Sequence, residues 1–107
     1  MIELNKENFE EEVLKSDLPV LVDLWGPQCG PCLALMPKVE EISRKYEGKV
    51  KFCKLNVAEN RKLVISLRVM GVPTFLFYKG GKEDGPRLSG AEAVAEKIEE
   101  KVRQLAG

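Results

Sequence analysis

Cys29 and Cys32 stand three positions apart in the run Cys-Gly-Pro-Cys, with an apolar strand-like stretch upstream and a helix-like stretch downstream. Residues three apart in a helical first turn are neighbours, at roughly the Cα separation a disulfide requires (about 4.4–6.8 Å). Such a bond can form and break without dismantling the fold. Pro31 loses nothing by lacking an N–H, because first-turn amides have no intrahelical acceptor. Those free amides and the helix dipole favour negative charge on Cys29 and lower its thiol pKa. Cys32, one turn deeper, is expected to be more buried and less acidic. The pair is therefore suited to thiol–disulfide exchange, one thiol attacking and the other resolving.

Other uses of two close thiols fit less well. A tetrahedral zinc site needs four ligands, commonly two separated Cys/His pairs. The only further cysteine is Cys53, and the chain contains no histidine. A structural disulfide across so few residues would close too small a loop to stabilise much, and a reducing cytosol would open it. Gly30-Pro31 is poor filling for a helix start meant only to bury side chains. The missing histidine also removes the usual base of Ser-His and Cys-His hydrolases. Cys53, between Phe52 and Lys54 with no thiol nearby in sequence, reads as a core residue.

The elements that must hold the pair follow from periodicity. Ile2-Glu-Leu4 suits a short first strand. Asn5 then caps a helix whose apolar positions are Phe9, Val13 and Leu14, closed by Pro19. Val20-Leu-Val-Asp-Leu-Trp25 is apolar on both faces, as expected of a central strand covered on each side. After Gly26-Pro27 a helix is predicted with Leu35, Val39, Ile42 and Tyr46 on one stripe, Gly48 as its C-terminal cap, and a kink at Pro37. Val50 to Val57 reads as another strand. Asn60 caps a short helix with Leu63, Val64 and Leu67 inward. Gly71-Val-Pro-Thr74 breaks the pattern and leads into a strand over 74–78. Lys79-Gly-Gly-Lys82 is a hairpin signal, with a short edge strand near Pro86 to Ser89 pairing back. From Ala91, the residues Val94, Ile98, Val102 and Leu105 define a last amphipathic helix. The order β-α-β-α-β-α-β-β-α argues for an α/β fold, a single central mixed β-sheet flanked by helices on both faces.

Length and composition set the bounds. The chain has 107 residues, which fits one domain over 1–107. It is 44% hydrophobic and 32% charged, ordinary for a globular protein. Lys plus Arg balance Asp plus Glu at zero net charge, which argues against a nucleic-acid partner. The longest apolar runs are too short to cross a bilayer, so no membrane partner is expected. Met1 to Asn8 has neither a basic nor an apolar leader pattern, and a reducing cytoplasm is the default compartment.

The segment Trp25-Gly-Pro-Gln-Cys29-Gly-Pro-Cys32 resembles the active-site pattern of the thioredoxins, and the likeness extends over the whole chain. It includes Val-Asp-Leu-Trp at 22–25, Pro37, Lys54-Leu-Asn, Gly71-Val-Pro-Thr74, Lys79-Gly-Gly81 and Gly90 before the last helix. The resemblance implies a thioredoxin fold and a monomeric thiol–disulfide oxidoreductase that mainly reduces protein disulfides. It implies no bound cofactor beyond the reversible Cys29–Cys32 disulfide, which a flavoprotein thioredoxin reductase re-reduces.

Site roles follow from that resemblance. Asp23 reads either as a strand residue that reaches water or as a buried carboxyl under the redox pair. In the second reading burial raises its pKa and makes it a base for Cys32. Lys54 shares a face with Val50 and Phe52; by resemblance it approaches that carboxylate, and otherwise it is a snorkelling strand lysine. Sequence statistics favour a trans bond before Pro73, whereas the resemblance implies cis, with the proline facing the disulfide and the Val72 backbone free to pair with a target peptide. Trp25, Gly71, Val72, Gly90 and Ala91 would then line a shallow docking surface, and Trp25 also reads as a core anchor.

The chain departs from the family at Gln28, where a Trp is common, at Leu33, where a Lys often follows, and at Ala58, where Asp is frequent. Gln28 removes an aromatic shelf from the docking rim and Leu33 a positive charge near the thiolate, so altered partner preference is expected. Ala58 reads as a local capping difference. Two alternatives remain in view: a binding or assembly module of the same fold, and a disulfide oxidase or isomerase.

Overall fold

A computed structural model describes all residues 1–107. Six strands form one sheet: β1 (Ile2–Glu3), β2 (Val20–Trp25), β3 (Lys51–Asn56), β4 (Thr74–Lys79), β5 (Lys82–Glu83) and β6 (Leu88–Ser89). The sheet runs β1-β3-β2-β4-β5, with β6 also on β4. β1, β3 and β2 are parallel, and β4 enters antiparallel to β2. The helices are α1 (Gly30–Lys45), α2 (Arg61–Ser66) and α3 (Ala95–Ala106).

Strand alternation separates two cores. On one face Val20, Val22 and Leu24 of β2 meet Cys53 and Leu55 of β3, Leu76 and Tyr78 of β4, and the capping layer of Leu4, Phe9 and Val13. Leu63, Val64 and Leu67 pack against this core from α2 and its end. On the other face Leu21, Phe52, Phe75 and Phe77 pack beneath Val39 and Ile42 of α1 and Ile98, Val102 and Leu105 of α3. Phe75, Phe77, Leu21 and Leu24 are wholly buried, each such side chain contributing roughly 1.5–3 kcal/mol. The expected mixed sheet with helices on both faces is the fold observed.

Local signals worked in detail at several points. Asn5 Oδ1 accepts from the amides of Glu7 and Asn8 at 2.8 and 3.0 Å, and Asn8 Oδ1 accepts from the Asn5 amide at 2.8 Å, a reciprocal cap. Gly80 and Gly81 have φ of 63° and 81°, which the two-residue turn between β4 and β5 requires.

Other expectations were not met. Leu14 is exposed. The segment Glu10–Leu14 winds as a π-helix, with the Lys15 amide donating to the Glu10 carbonyl at 2.9 Å, and the wider turn carries Leu14 off the inward stripe. Asn60 precedes α2 but makes no side-chain cap; its Nδ2 donates instead to the Asn56 carbonyl at 2.9 Å. The edge strand is divided into β5 and β6 by Asp84–Arg87, where the Gly85–Pro86 bond is cis. The last helix starts later than Ala91, after a 3₁₀ turn over Gly90–Glu92, and leaves Val94 outside the core.

Candidate active site

β2 ends at Trp25, and Gly26 to Gln28 lead directly into the amino end of α1. Cys29 is the N-cap residue, in extended conformation, and Cys32 lies in the first turn. Their side chains form a disulfide with the Cα atoms 5.3 Å apart. The Cys32 amide also donates to Cys29 Sγ at 3.2 Å. An amide proton and the positive end of a sixteen-residue helix therefore both point at the outer sulfur. Pro31 occupies the first turn, where no amide is missed. Cys32 is 2% exposed, whereas Cys29 is half-buried and Gly30 and Pro31 are exposed. The two sulfurs are thus unequal in access.

Asp23 lies on the β2 face that carries Leu21, the face covered by α1. It is only 2% exposed and its carboxylate accepts no hydrogen bond from the protein. Burial pushes its pKa up from 3.8 to about 7, and the Lys54 ammonium pulls it partly back. Lys54 is the register partner of Asp23 on β3. The two form no ion pair; Lys54 Nζ instead lies 6.0 Å from the Trp25 ring centroid. Trp25 is half-buried, and its Nε1 is buried with no hydrogen-bond partner.

The Val72–Pro73 bond is cis. Pro73 is buried, and its carbonyl accepts from the Gly90 amide at 3.1 Å, which ties two loops together. A groove of about 560 Å³ runs between Pro31, Ala34 and Leu35 on one side and Val72, Pro73 and Ala91 on the other. Gly90 also lines it, while Gly71 lines an adjoining depression of about 440 Å³ with Arg68, Met70 and Arg87. Neither Trp25 nor Gln28 lines the groove; Gln28 is exposed beside Cys29. A depression of about 730 Å³ by the far end of α1, lined by Met1, Leu18, Arg44 and Gly48, contains none of these residues.

The sequence reading missed Ala34, Lys38, Val94 and Glu96, which also line the groove. For Ala34 and Lys38 the available signal is helical spacing from Pro31, at three and seven positions; Val94 and Glu96, at the start of α3, carry no such local signal. Cys53 is wholly buried on the opposite sheet face from Asp23, and burial raises its pKa to about 12.

A family profile described as Thioredoxin matches residues 1–104. The chain belongs to the thioredoxin family. It is 48% identical over 83 residues to the thioredoxin of Peptoclostridium acidaminophilum, covering 78% of this chain and 76% of the relative. Over 104 residues it is 40% identical to the thioredoxin of Acetoanaerobium sticklandii, covering 97% and 98%. The thioredoxin of Synechocystis sp. matches at 48% over 80 residues, 75% of each chain. Membership and the Cys29–Cys32 pair together make the protein a thiol–disulfide oxidoreductase with protein-disulfide reductase activity. No helix of this thioredoxin-family chain is long and apolar enough to cross a membrane, and no cluster of Cys, Asp or Glu is arranged to hold a metal ion.

Proposed function

We propose that residues 1–107 act as one thioredoxin domain in which Cys29 attacks and Cys32 resolves. The observation that carries this order is the unequal access of two sulfurs joined at the amino end of α1. In the reduced protein the Cys29 thiolate attacks one sulfur of a target disulfide, forming a mixed disulfide and releasing the other target sulfur as a thiolate. Cys32 then loses its proton to the Asp23 carboxylate and attacks Cys29 Sγ. The second target sulfur departs, the target has gained two electrons, and Cys29–Cys32 is oxidised. Asp23, with its pKa near neutrality, is suited to accept that proton at physiological pH. Lys54 keeps the carboxyl from rising further.

Gly71, Val72, Gly90 and Ala91 form the docking surface in this reading, beside Pro73 and with Gly30 and Pro31 shaping the thiol loop. The Val72 amide and carbonyl make no hydrogen bond within the protein, which leaves both for an extended target segment. The Trp25 ring lies 6.0 Å from the Lys54 ammonium, and Gln28 forms an exposed rim. The donor that restores the dithiol is a flavoprotein thioredoxin reductase, and the working compartment is the reducing cytoplasm. The deciding measurement is reductant-dependent insulin reduction, combined with the reduction potential against glutathione. A potential near about −270 mV, the known value for thioredoxin itself, fits a reductase; one near −120 mV would assign the chain to disulfide formation instead.

A further inference from the structure

Arg68 follows α2 with φ of 58°, the left-handed region that a residue with a Cβ rarely adopts. It opens the segment that runs through Gly71 and Val72 to Pro73, so its backbone direction sets where that segment emerges. The Arg68 and Val69 amides donate to the Ile65 and Val64 carbonyls at 2.9 and 3.3 Å, closing the end of α2. A side chain remote in sequence anchors the carbonyls that this closure turns outward. Arg87 Nη1 donates to the Arg68 carbonyl at 3.0 Å and Nη2 to the Leu67 carbonyl at 2.8 Å. These are carbonyls at the end of α2 that no further helical turn satisfies.

The guanidinium is itself fixed. Its Nε and Nη2 meet the two Glu83 carboxylate oxygens at 2.6 and 3.0 Å, a planar fork on β5. Arg87 also immediately precedes β6, whose Leu88 and Ser89 pair with Phe75 and Thr74 and lead to Gly90. One side chain thus connects the origin of the Gly71–Pro73 segment to the strand that delivers Gly90 and Ala91. Both segments and Arg87 border the same depression beside the groove.

We propose that Arg87 is a positioning residue for target docking: through the Leu67 and Arg68 carbonyls it sets the spacing between the Gly71–Pro73 and Gly90–Ala91 segments. This rests on the docking reading given above. Arg87 touches no reacting atom, so its effect falls on large targets that need both segments and spares small disulfides that need neither.

The test compares rate constants for oxidation of the reduced protein by insulin and by hydroxyethyl disulfide, for Arg87→Ala, Arg87→Lys and Glu83→Gln. Arg87→Ala is expected to lower the insulin rate at least fivefold while the small-disulfide rate stays within twofold. Arg87→Lys, which keeps the charge and one donor nitrogen but not the planar fork, should recover part of the loss. Glu83→Gln retains Arg87 and loosens its seat, so it should give a smaller defect of the same selectivity even if Arg87→Ala fails to fold. Arg68→Gly combined with Arg87→Ala should regain insulin rate, since glycine holds the left-handed backbone without a clamp. Equal losses on both substrates, or no loss on insulin, overturn the assignment. Val72→Asp is the control: if it slows insulin and the Arg87 variants do not, only the role of Arg87 fails. If Val72→Asp also leaves insulin unaffected, the docking reading fails and this inference with it.

Discussion

Asp23 and Lys54 are register partners on the parallel strands β2 and β3, yet the lysine ammonium lies over the Trp25 ring, 6.0 Å from its centroid, and forms no ion pair with the carboxyl. The carboxyl is thereby left buried, with a cation near enough to lower its pKa and too far to bond it. An ion pair would hold Asp23 ionised well below neutrality, and complete isolation would leave it a permanent acid. The intermediate arrangement leaves a carboxyl whose pKa is raised to about 7.

Asp23→Asn should stabilise the protein at alkaline pH. The folded pKa is raised from 3.8 to about 7, so the folded state holds the proton more tightly than the unfolded chain. Its contribution to stability is complete below pH 4 and is lost as pH rises through 7. Above that, an ionised Asp23 costs the fold on the order of 4 kcal/mol. Urea melts at pH 4 and pH 8.5 should show variant and wild type converging in acid and diverging in base. The same variant should slow release of the reduced target on the order of 100-fold or more.

Lys54→Met should move the Asp23 titration above about 7, because Lys54 is the group that lowers it. Carbonyl-carbon NMR of the Asp23 side chain reads this directly. A titration that stays in place or moves to acid contradicts the electrostatic account.

Cys32→Ser should accumulate covalent complexes with disulfide targets, while Cys29→Ser should form none. Non-reducing electrophoresis after mixing with an oxidised target distinguishes them. Equal trapping by both variants would refute the order of attack argued from their exposure.

Gly81→Ala should be more damaging than Gly80→Ala. Both positions have positive φ, which costs an alanine about 1–2 kcal/mol. A Cβ at Gly81 would in addition stand 2.6 Å from the Leu14 carbonyl oxygen, whereas one at Gly80 meets nothing within 4 Å. Thermal melts should show a fall of roughly 5 °C or more at Gly80 and a larger one at Gly81.

Gln28→Trp with Leu33→Lys should change both insulin reduction and turnover by a thioredoxin reductase. Both native side chains are exposed beside the thiols, with Leu33 47% exposed, so the exchange alters the rim without disturbing the core. Unchanged rates on both substrates would remove any part for these residues in partner preference.

The sequence made the sheet and its two covers legible because each relies on short-range periodicity. β2 reads as buried on both faces and is so, and α1 announces itself through Val39 and Ile42. The thiol pair was legible from spacing and helix-end chemistry alone. Features decided by distant contacts were not. The helix end at Arg68 lacks the glycine that usually marks a left-handed closure, and the guanidinium that bonds its carbonyl lies nineteen positions away. Leu14 fits an α-helical stripe and is exposed because the chain there winds more widely. The cis bond at Pro73 runs against residue statistics, and only likeness to a family anticipated it. Strand alternation puts Lys54 on the face of Asp23, but its position over Trp25 and not against Asp23 depends on side-chain reach.

Cys53 lies on the sheet face turned away from Asp23 and α1 and has no solvent-exposed surface. The sheet therefore works as a partition between the working sulfurs and the idle one. Scrambling to a wrong internal bridge is blocked by a wall of strands, and the oxidised molecule offers an alkylating dye no accessible sulfhydryl. Dye uptake by the folded protein then counts only molecules in the dithiol state.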